Sequence, residues 1–284
     1  MRYYIVDAFT DKPFGGNPAG VVLLDGDVFP KESLMLQIAA ELRYSETAFV
    51  RRHSTKEFTL RYFTPKAEVE LCGHATIATF ALLNQEAGVN GQCLCHTKAG
   101  DLSIEVSPKV MMQMASPKIV KTVEDPNEIY RALGLENYAP TLPVMIASTG
   151  LPDFMIPVDD VETLQHLHPD MNAISEITKR HNAVSFHVFA LSNDGYTAHV
   201  RDFAPLYDIP EESATGTANA ALTHYLQQNG CIRPTGDFAF LQGEAMGRPS
   251  VVATRLANDG TIYVGGTAYV LASGEFNLAE DNWQ

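Results

Sequence analysis

Apolar positions along this chain follow two rhythms, and the same order of rhythms is written twice. Tyr3 to Phe9 and Ala19 to Leu24 are β-rich runs joined by the turn-forming Phe14-Gly15-Gly16-Asn17-Pro18. Pro30 then opens a helix whose apolar side includes Leu34, Ile38, Ala39 and Leu42. Thr47–Arg51 and Phe58–Phe63 read as strands. From Gly73 to Ala87 the pattern changes: Ala75, Ile77, Ala78, Phe80, Ala81, Leu82 and Leu83 leave no polar side, so this helix is predicted to be buried all round. Cys93–Glu105 and Met111–Met114 read as strands that close this half.

A polar, proline-bearing stretch from Ser116 to Pro143 follows, with one short predicted helix, Pro126–Leu133, stopped by Gly134. The order then recurs. Met145–Pro157 corresponds to the region of Asn17, Ala183–Leu191 and Thr197–Phe203 to the two inner strands, and Gly216–Gln228 to the buried helix. Single residues correspond too. Leu60-Arg61-Tyr62-Phe63-Thr64-Pro65 and Leu71-Cys72-Gly73-His74-Ala75-Thr76 are echoed about 140 residues later by Val200-Arg201-Asp202-Phe203-Ala204-Pro205 and Ala214-Thr215-Gly216-Thr217-Ala218-Asn219. A repeat on this scale predicts two half-domains of one fold, 1–118 and 119–284, linked around 116–143. Strands wrapping a central helix, twice, is an α+β architecture. Each helix start offers free N–H groups that suit an anion such as a carboxylate, so a cleft between the halves is the expected site.

Composition narrows the partners. The chain has 284 residues, of which 45% are hydrophobic and 19% charged, as in an ordinary globular protein. A formal net charge of −14 speaks against a nucleic-acid or anionic-membrane partner. No apolar run approaches the ~20 residues of a spanning helix. The N-terminal Met1-Arg2-Tyr3-Tyr4-Ile5-Val6-Asp7 lacks a signal-peptide core, and Cys72, Cys93, Cys95 and Cys231 form no disulfide framework in a chain this long. A cytoplasmic protein is expected.

Several residue groups carry candidate chemistry. Glu46, in Ser45-Glu46-Thr47-Ala48-Phe49, is either a solvated acid at a strand start or a general acid/base. Cys72 opens the first buried helix, where a thiol is either activated or simply buried and inert. His74 suits substrate donation or capping. In Glu211-Glu212-Ser213-Ala214-Thr215-Gly216-Thr217, Ser213 or Thr215 can cap the second helix, while the N–H groups of Gly216 and Thr217 can meet a substrate. Cys93-x-Cys95-His96 lacks zinc-site spacing and a second ligand pair, so no metal is expected. His166-x-His168 before Pro169 reads as a helix end. Phe14-Gly15-Gly16-Asn17 fits neither a P-loop nor a dinucleotide fingerprint.

Taken together, Val6-Asp7-Ala8-Phe9-Thr10, Gly16-Asn17-Pro18-Ala19, Ser45 to Phe49, Cys72 to Thr76, Ile209 to Ala218, Gln242-Gly243 and Met246-Gly247-Arg248-Pro249-Ser250 resemble the PhzF-like family of phenazine-biosynthesis proteins, relatives of diaminopimelate epimerase. The resemblance covers almost the whole chain. It implies a diaminopimelate epimerase-like fold of two pseudo-symmetric half-domains, each a mixed β-barrel-like sheet around a central helix. It also implies a homodimer without cofactor or metal. Glu46 matches the family's catalytic acid/base. His74 and Glu212 match residues that hold substrate, and Gly73, Gly216 and Thr217 match groups at the helix starts, while Asn17 lies in the first family turn. Where the family commonly has Glu-Asp-Pro-Ala-Thr-Gly-Ser, this chain has Glu211-Glu212-Ser213-Ala214-Thr215-Gly216-Thr217, and the extra methylene of Glu212 moves a carboxylate by more than ~1 Å.

The related two-thiol epimerases place a cysteine at each helix start. Here Cys72 has Thr215 as its counterpart, and a threonine hydroxyl is too weak an acid for that exchange. The reading is therefore a cofactor-independent isomerase that moves a proton between carbons of a small cyclic or unsaturated carboxylate. The alternatives are a single-base dehydratase using Cys72 on a hydroxyproline-like substrate, and a non-catalytic small-molecule-binding protein.

Overall fold

The computed structural model describes residues 1–26 and 28–278. They divide into two compact units: Met1–Gln113 together with the chain from Gly265 onward, and Met114–Val264. The last strand therefore belongs with the first unit, whereas the repeat alone puts 119–284 in one half.

The first unit runs β1 (Arg2–Ala8), β2 (Asn17–Leu23), α1 (Glu32–Leu42), β3 (Thr47–Arg52), β4 (Glu57–Phe63), β5 (Glu68–Val69), α2 (Gly73–Ala87), β6 (Gly91–Thr97), β7 (Gly100–Val106) and β8 (Val110–Gln113). The second runs β9 (Lys118–Thr122), α3 (Asn127–Ala132), β10 (Met145–Ser148), β11 (Pro152–Val158), α4 (Val161–Gln165), α5 (Met171–His181), β12 (Phe186–Leu191), β13 (Ala198–Ala204), β14 (Ile209–Glu212), α6 (Gly216–Gln228), β15 (Gly236–Gln242) and β16 (Ser250–Leu256). β17 (Ile262–Gly266) leads back to β18 (Ala268–Glu275) in the first unit.

In the first unit the strands pair in the order β18-β1-β2-β3-β4-β6-β7-β8, with β5 also on β4; β2–β3 and β4–β6 are parallel and the rest antiparallel. A parallel pair needs a crossover, and α1 and α2 supply the two. In the second unit the order is β9-β10-β11-β12-β13-β15-β16, with β14 on β13; β11–β12 and β13–β15 are the parallel pairs. The sequence repeat is thus a repeat of sheet topology. β9 lies inside the stretch read from sequence as a link, and its pairing with β10 makes that stretch part of the second sheet.

Each crossover helix is buried as its pattern requires. α2 packs against β1, β2, β3, β7, β8 and β18, and the αL residue Gly88 (φ 64) ends it, its N–H bonding to Asn84. α6 packs against β9, β10, β11 and β16. On β11, Phe154 faces a cluster with Ile129, Leu164 and Ile174 of α3, α4 and α5, while its neighbour Met155 faces Leu222 and Tyr225 of α6. That alternation is the two-residue period of a strand buried on both faces.

The repeated arginine does the same work twice. Arg61 on β4 grips Glu68 of β5 through Nε–Oε1 (2.7 Å) and Nη2–Oε2 (2.6 Å), and its guanidinium lies 5.3 Å from the Phe63 ring. Arg201 on β13 grips Glu211 of β14 through the same two nitrogens at 3.0 and 2.9 Å, 5.0 Å from the Phe203 ring. Each clamp fixes the loop that delivers the next helix start. Each also reaches the other crossover helix: Arg61 meets Glu32 of α1, and Arg201 Nη1 donates to the carbonyls of Leu164, Gln165 and Leu167 at the end of α4.

Candidate active site

In the first unit, Glu46 stands just before β3, and Cys72 is the N-cap residue of α2 in extended conformation (φ −140°, ψ 113°). His74 lies in the first helical turn. These three come together: His74 Nε2 is 3.4 Å from Glu46 Oε2, and His74 Nδ1 is 3.4 Å from Cys72 Sγ. Ser45 Oγ is also 3.4 Å from Nε2. His74 is buried and Glu46 is 19% exposed, so the carboxylate is the accessible member. Burial pushes the His74 imidazole below its ordinary value, and the Glu46 charge only partly offsets this. A neutral ring donates at one nitrogen only. The carboxylate beside Nε2 favours the proton there, which leaves Nδ1 to accept from the Cys72 thiol.

No side chain caps α2, so the first turn, which begins at Gly73, keeps its open N–H groups. Asn17 begins β2 opposite Ala8 and is buried. Gly16 before it has φ +64°, and a Cβ there would stand 2.2 Å from the Ala8 carbonyl oxygen, so the family turn requires glycine. The ligand atoms of Glu46, Cys72 and His74 all lie within 4.8 Å of one another, a set that is also chemically suited to a zinc-like cation. The Cys93 and Cys95 side chains face the interior of the sheet instead.

In the second unit the corresponding place is built differently. Thr215 is the N-cap residue of α6, with the same extended backbone as Cys72 (φ −121°, ψ 99°). It does not cap the helix, contrary to the sequence reading. Its hydroxyl lies 3.0 Å from Asp202 Oδ2 and 3.0 Å from Glu212 Oε2. Ser213, the other proposed cap, is buried and lies two residues before the N-cap position. Thr215 N–H instead donates to Gln242 Oε1 at 3.1 Å, and Gln242 Nε2 donates to the Glu212 carbonyl at 2.8 Å and to Thr215 Oγ1 at 3.1 Å. Gly216 is buried at the helix start and Thr217 half-buried beside it.

Behind Thr215 lies a group that the sequence reading missed. Ser185 Oγ is 2.9 Å from Asp153 Oδ1 and 2.8 Å from Asp202 Oδ1, and His187 Nδ1 is 2.8 Å from Asp202 Oδ1. All four side chains are buried. One signal was available: Asp202 takes the place of Tyr62 in the repeated phrase, an acid at a buried strand position where the first copy has an aromatic. Strand register adds a second correspondence. Thr47 pairs with Phe63 as Phe186 pairs with Phe203, so Ser185 is the counterpart of Glu46.

In the first unit a partly exposed acid thus stands beside a buried imidazole and a helix start that no side chain caps. Known proteins with similar chains were compared with it. The family model "Phenazine biosynthesis-like protein" matches residues 6–274. An "uncharacterized isomerase" of Deinococcus radiodurans is 35% identical, with 96% of this chain and 94% of that protein aligned. The trans-2,3-dihydro-3-hydroxyanthranilate isomerase of Pseudomonas chlororaphis is 30% identical over 89% of this chain and 90% of its own. The crystal structure of a PhzF-family phenazine biosynthesis protein of Bacillus anthracis superposes with a TM-score of 0.86 at 26% identity, covering 98% of this chain and 99% of that one. The fold is therefore the α+β fold of PhzF proteins, and the enzyme class is isomerase. The chain belongs to the phenazine biosynthesis-like (PhzC-PhzF) family. Among the described residues, no helix is long and apolar enough to cross a membrane.

Proposed function

We propose that the protein is a cofactor-independent isomerase that moves a proton between two carbons of a small cyclic or unsaturated carboxylate, with Glu46 as the acid/base. The observation that carries this reading is the placing of the accessible Glu46 carboxylate 3.4 Å from a buried imidazole whose proton-binding is weakened. A neutral His74 orients the carboxylate without neutralising it, so Glu46 can accept a proton from one carbon and return it to another. The open amides at Gly73 of α2 suit the substrate carboxylate. Asn17, Glu212, Gly216 and Thr217 are proposed as further substrate contacts. The activity of the 30%-identical Pseudomonas chlororaphis relative makes trans-2,3-dihydro-3-hydroxyanthranilate the first compound to try. Glu46→Gln should lower kcat by about 10²- to 10⁴-fold while KM changes little. Wild-type kcat in that variant would remove Glu46 from the role.

The contact between Cys72 Sγ and His74 Nδ1 favours a second reading, in which the thiol is the base of a dehydratase. Cys72→Ser separates the two. It should lower isomerisation by less than about tenfold and abolish a Cys72-based dehydration.

A further inference from the structure

Five oxygen-bearing side chains form an unbroken line in the second unit: Asp153, Ser185, Asp202, Thr215 and Glu212. Neighbouring oxygens are 2.9, 2.8, 3.0 and 3.0 Å apart. Carboxyls and hydroxyls alternate along it. A hydrogen bond needs one proton per contact, and an ionised carboxylate has none to give. The two hydroxyls supply one proton each, which satisfies two of the four contacts. The other two contacts need carboxyl protons. The three acids therefore hold two protons between them and one negative charge.

The surroundings agree with that count. Glu212 is half-buried whereas Asp153 and Asp202 are buried, which suits Glu212 as the ionised member, and His187 Nδ1 lies 2.8 Å from Asp202 Oδ1. Asp153 Oδ2 is buried without a partner, as is His187 Nε2, so nothing on that side holds Asp153 ionised. Burial above all pushes the Asp153 carboxyl well above its ordinary range. Thr215 Oγ1 accepts from Gln242 Nε2, so its single hydrogen and its other lone pair are left for the two acids.

We propose that this line is a proton relay that makes Glu212 a second proton-exchanging residue, with Asp153 as the buried store. The proposal rests on the reading that Glu212 meets substrate. With the single charge on Glu212, one proton shifts at each contact, from Asp153 to Ser185, from Ser185 to Asp202 Oδ1, from Asp202 Oδ2 to Thr215 and from Thr215 to Glu212, and Glu212 then gives its proton to the substrate. The net change is one proton lost by Asp153 and one gained by the substrate, and the reverse transfer restores the store. Thr215, too weak an acid to serve as a base itself, is well suited to pass a proton on. The line also runs through Ser185, the counterpart of Glu46, so both units handle protons at the same point of the repeat.

The protonation state is tested first, on the whole enzyme without substrate, by infrared spectroscopy at neutral pH. Protonated-carboxyl carbonyl bands are expected, with intensity lost in Asp153→Asn; a wild-type spectrum without such bands overturns the proposal whether or not the isomerase reading holds. Kinetics then test the relay. The Asp153→Asn amide still donates to Ser185, so a merely structural role would leave kcat alone. The relay predicts a fall in kcat of about tenfold or more at constant KM in Asp153→Asn, and in Thr215→Val a loss that Thr215→Ser largely recovers. Wild-type kcat in Asp153→Asn, or equal losses in both Thr215 variants, would contradict it.

Discussion

The two helix starts share a backbone and differ in almost every polar atom. Cys72 and Thr215 occupy the same extended N-cap position, and each is delivered by an arginine–glutamate clamp. Around Cys72 the thiol, imidazole and carboxylate side chains are more loosely spaced, with His74 3.4 Å from both the thiol and Glu46. Around Thr215 they are tightly bonded, at 3.1 Å or less. The repeat kept what folds the chain and changed what touches protons. A loosely held carboxylate can approach a substrate and withdraw, whereas a bonded line of acids and hydroxyls positions groups and stores charge.

The largest effect on stability should come from the clamps, where the units are alike. Arg201→Ala leaves Glu211 without its bidentate partner and three carbonyls without their donor, and should cost about 3–5 kcal/mol in urea unfolding. Arg61→Ala should cost less, because Arg61 is more exposed (21% against 9%) and Glu68 keeps Lys98. Equal losses would mean that burial does not set the worth of the clamps.

The units should also respond oppositely to pH. In the first, the Arg61 hydrogen bonds, aided by Lys98, hold Glu68 below its ordinary 4.5 against the pull of burial. Its contribution is present above 4.5 and is lost as pH falls through the lowered folded value. Glu68→Gln should flatten that acid-side loss. In the second, the folded Asp153 keeps a proton that the unfolded chain releases above about 3.8. Stability then falls as pH rises through the window up to the raised folded value. Asp153→Asn should therefore be stabilising relative to wild type, and increasingly so from pH 4 toward neutrality. Unfolding midpoints across that range check both signs. The smallest change is expected for Lys98→Ala: Lys98 is 52% exposed, and its loss should cost about 1 kcal/mol or less.

Much of the fold was legible because its signals are local. The all-round apolar pattern of Ile77, Phe80 and Leu83 marked α2, and the second copy marked α6. α5 was missed, and of α4 only its end at His166 was read. They are the counterpart of α1, but the polar Asp159-Asp160 and His166-Leu167-His168 surroundings hide the repeat, although Asp160 and Asp170 cap the two helices by accepting backbone N–H bonds. β9 was missed because Lys118, Val120, Lys121 and Thr122 are exposed, so its pairing with β10 leaves little apolar alternation to read. In the site, Glu46, Cys72 and His74 were legible as motif residues, and the structure brings them together. Asp153 and Ser185 were not, because each is ordinary within its own segment. Only the pairing of β11, β12 and β13 makes them neighbours.

The proposed isomerisation turns on Glu46 carrying a proton between carbons. The most direct measurement is a proton NMR time course in D₂O with trans-2,3-dihydro-3-hydroxyanthranilate, comparing wild type with Glu46→Gln. Isomerised product with deuterium at the newly protonated carbon is expected from wild type and not from the variant. Isomerisation at an equal rate and with equal labelling in both proteins would contradict it.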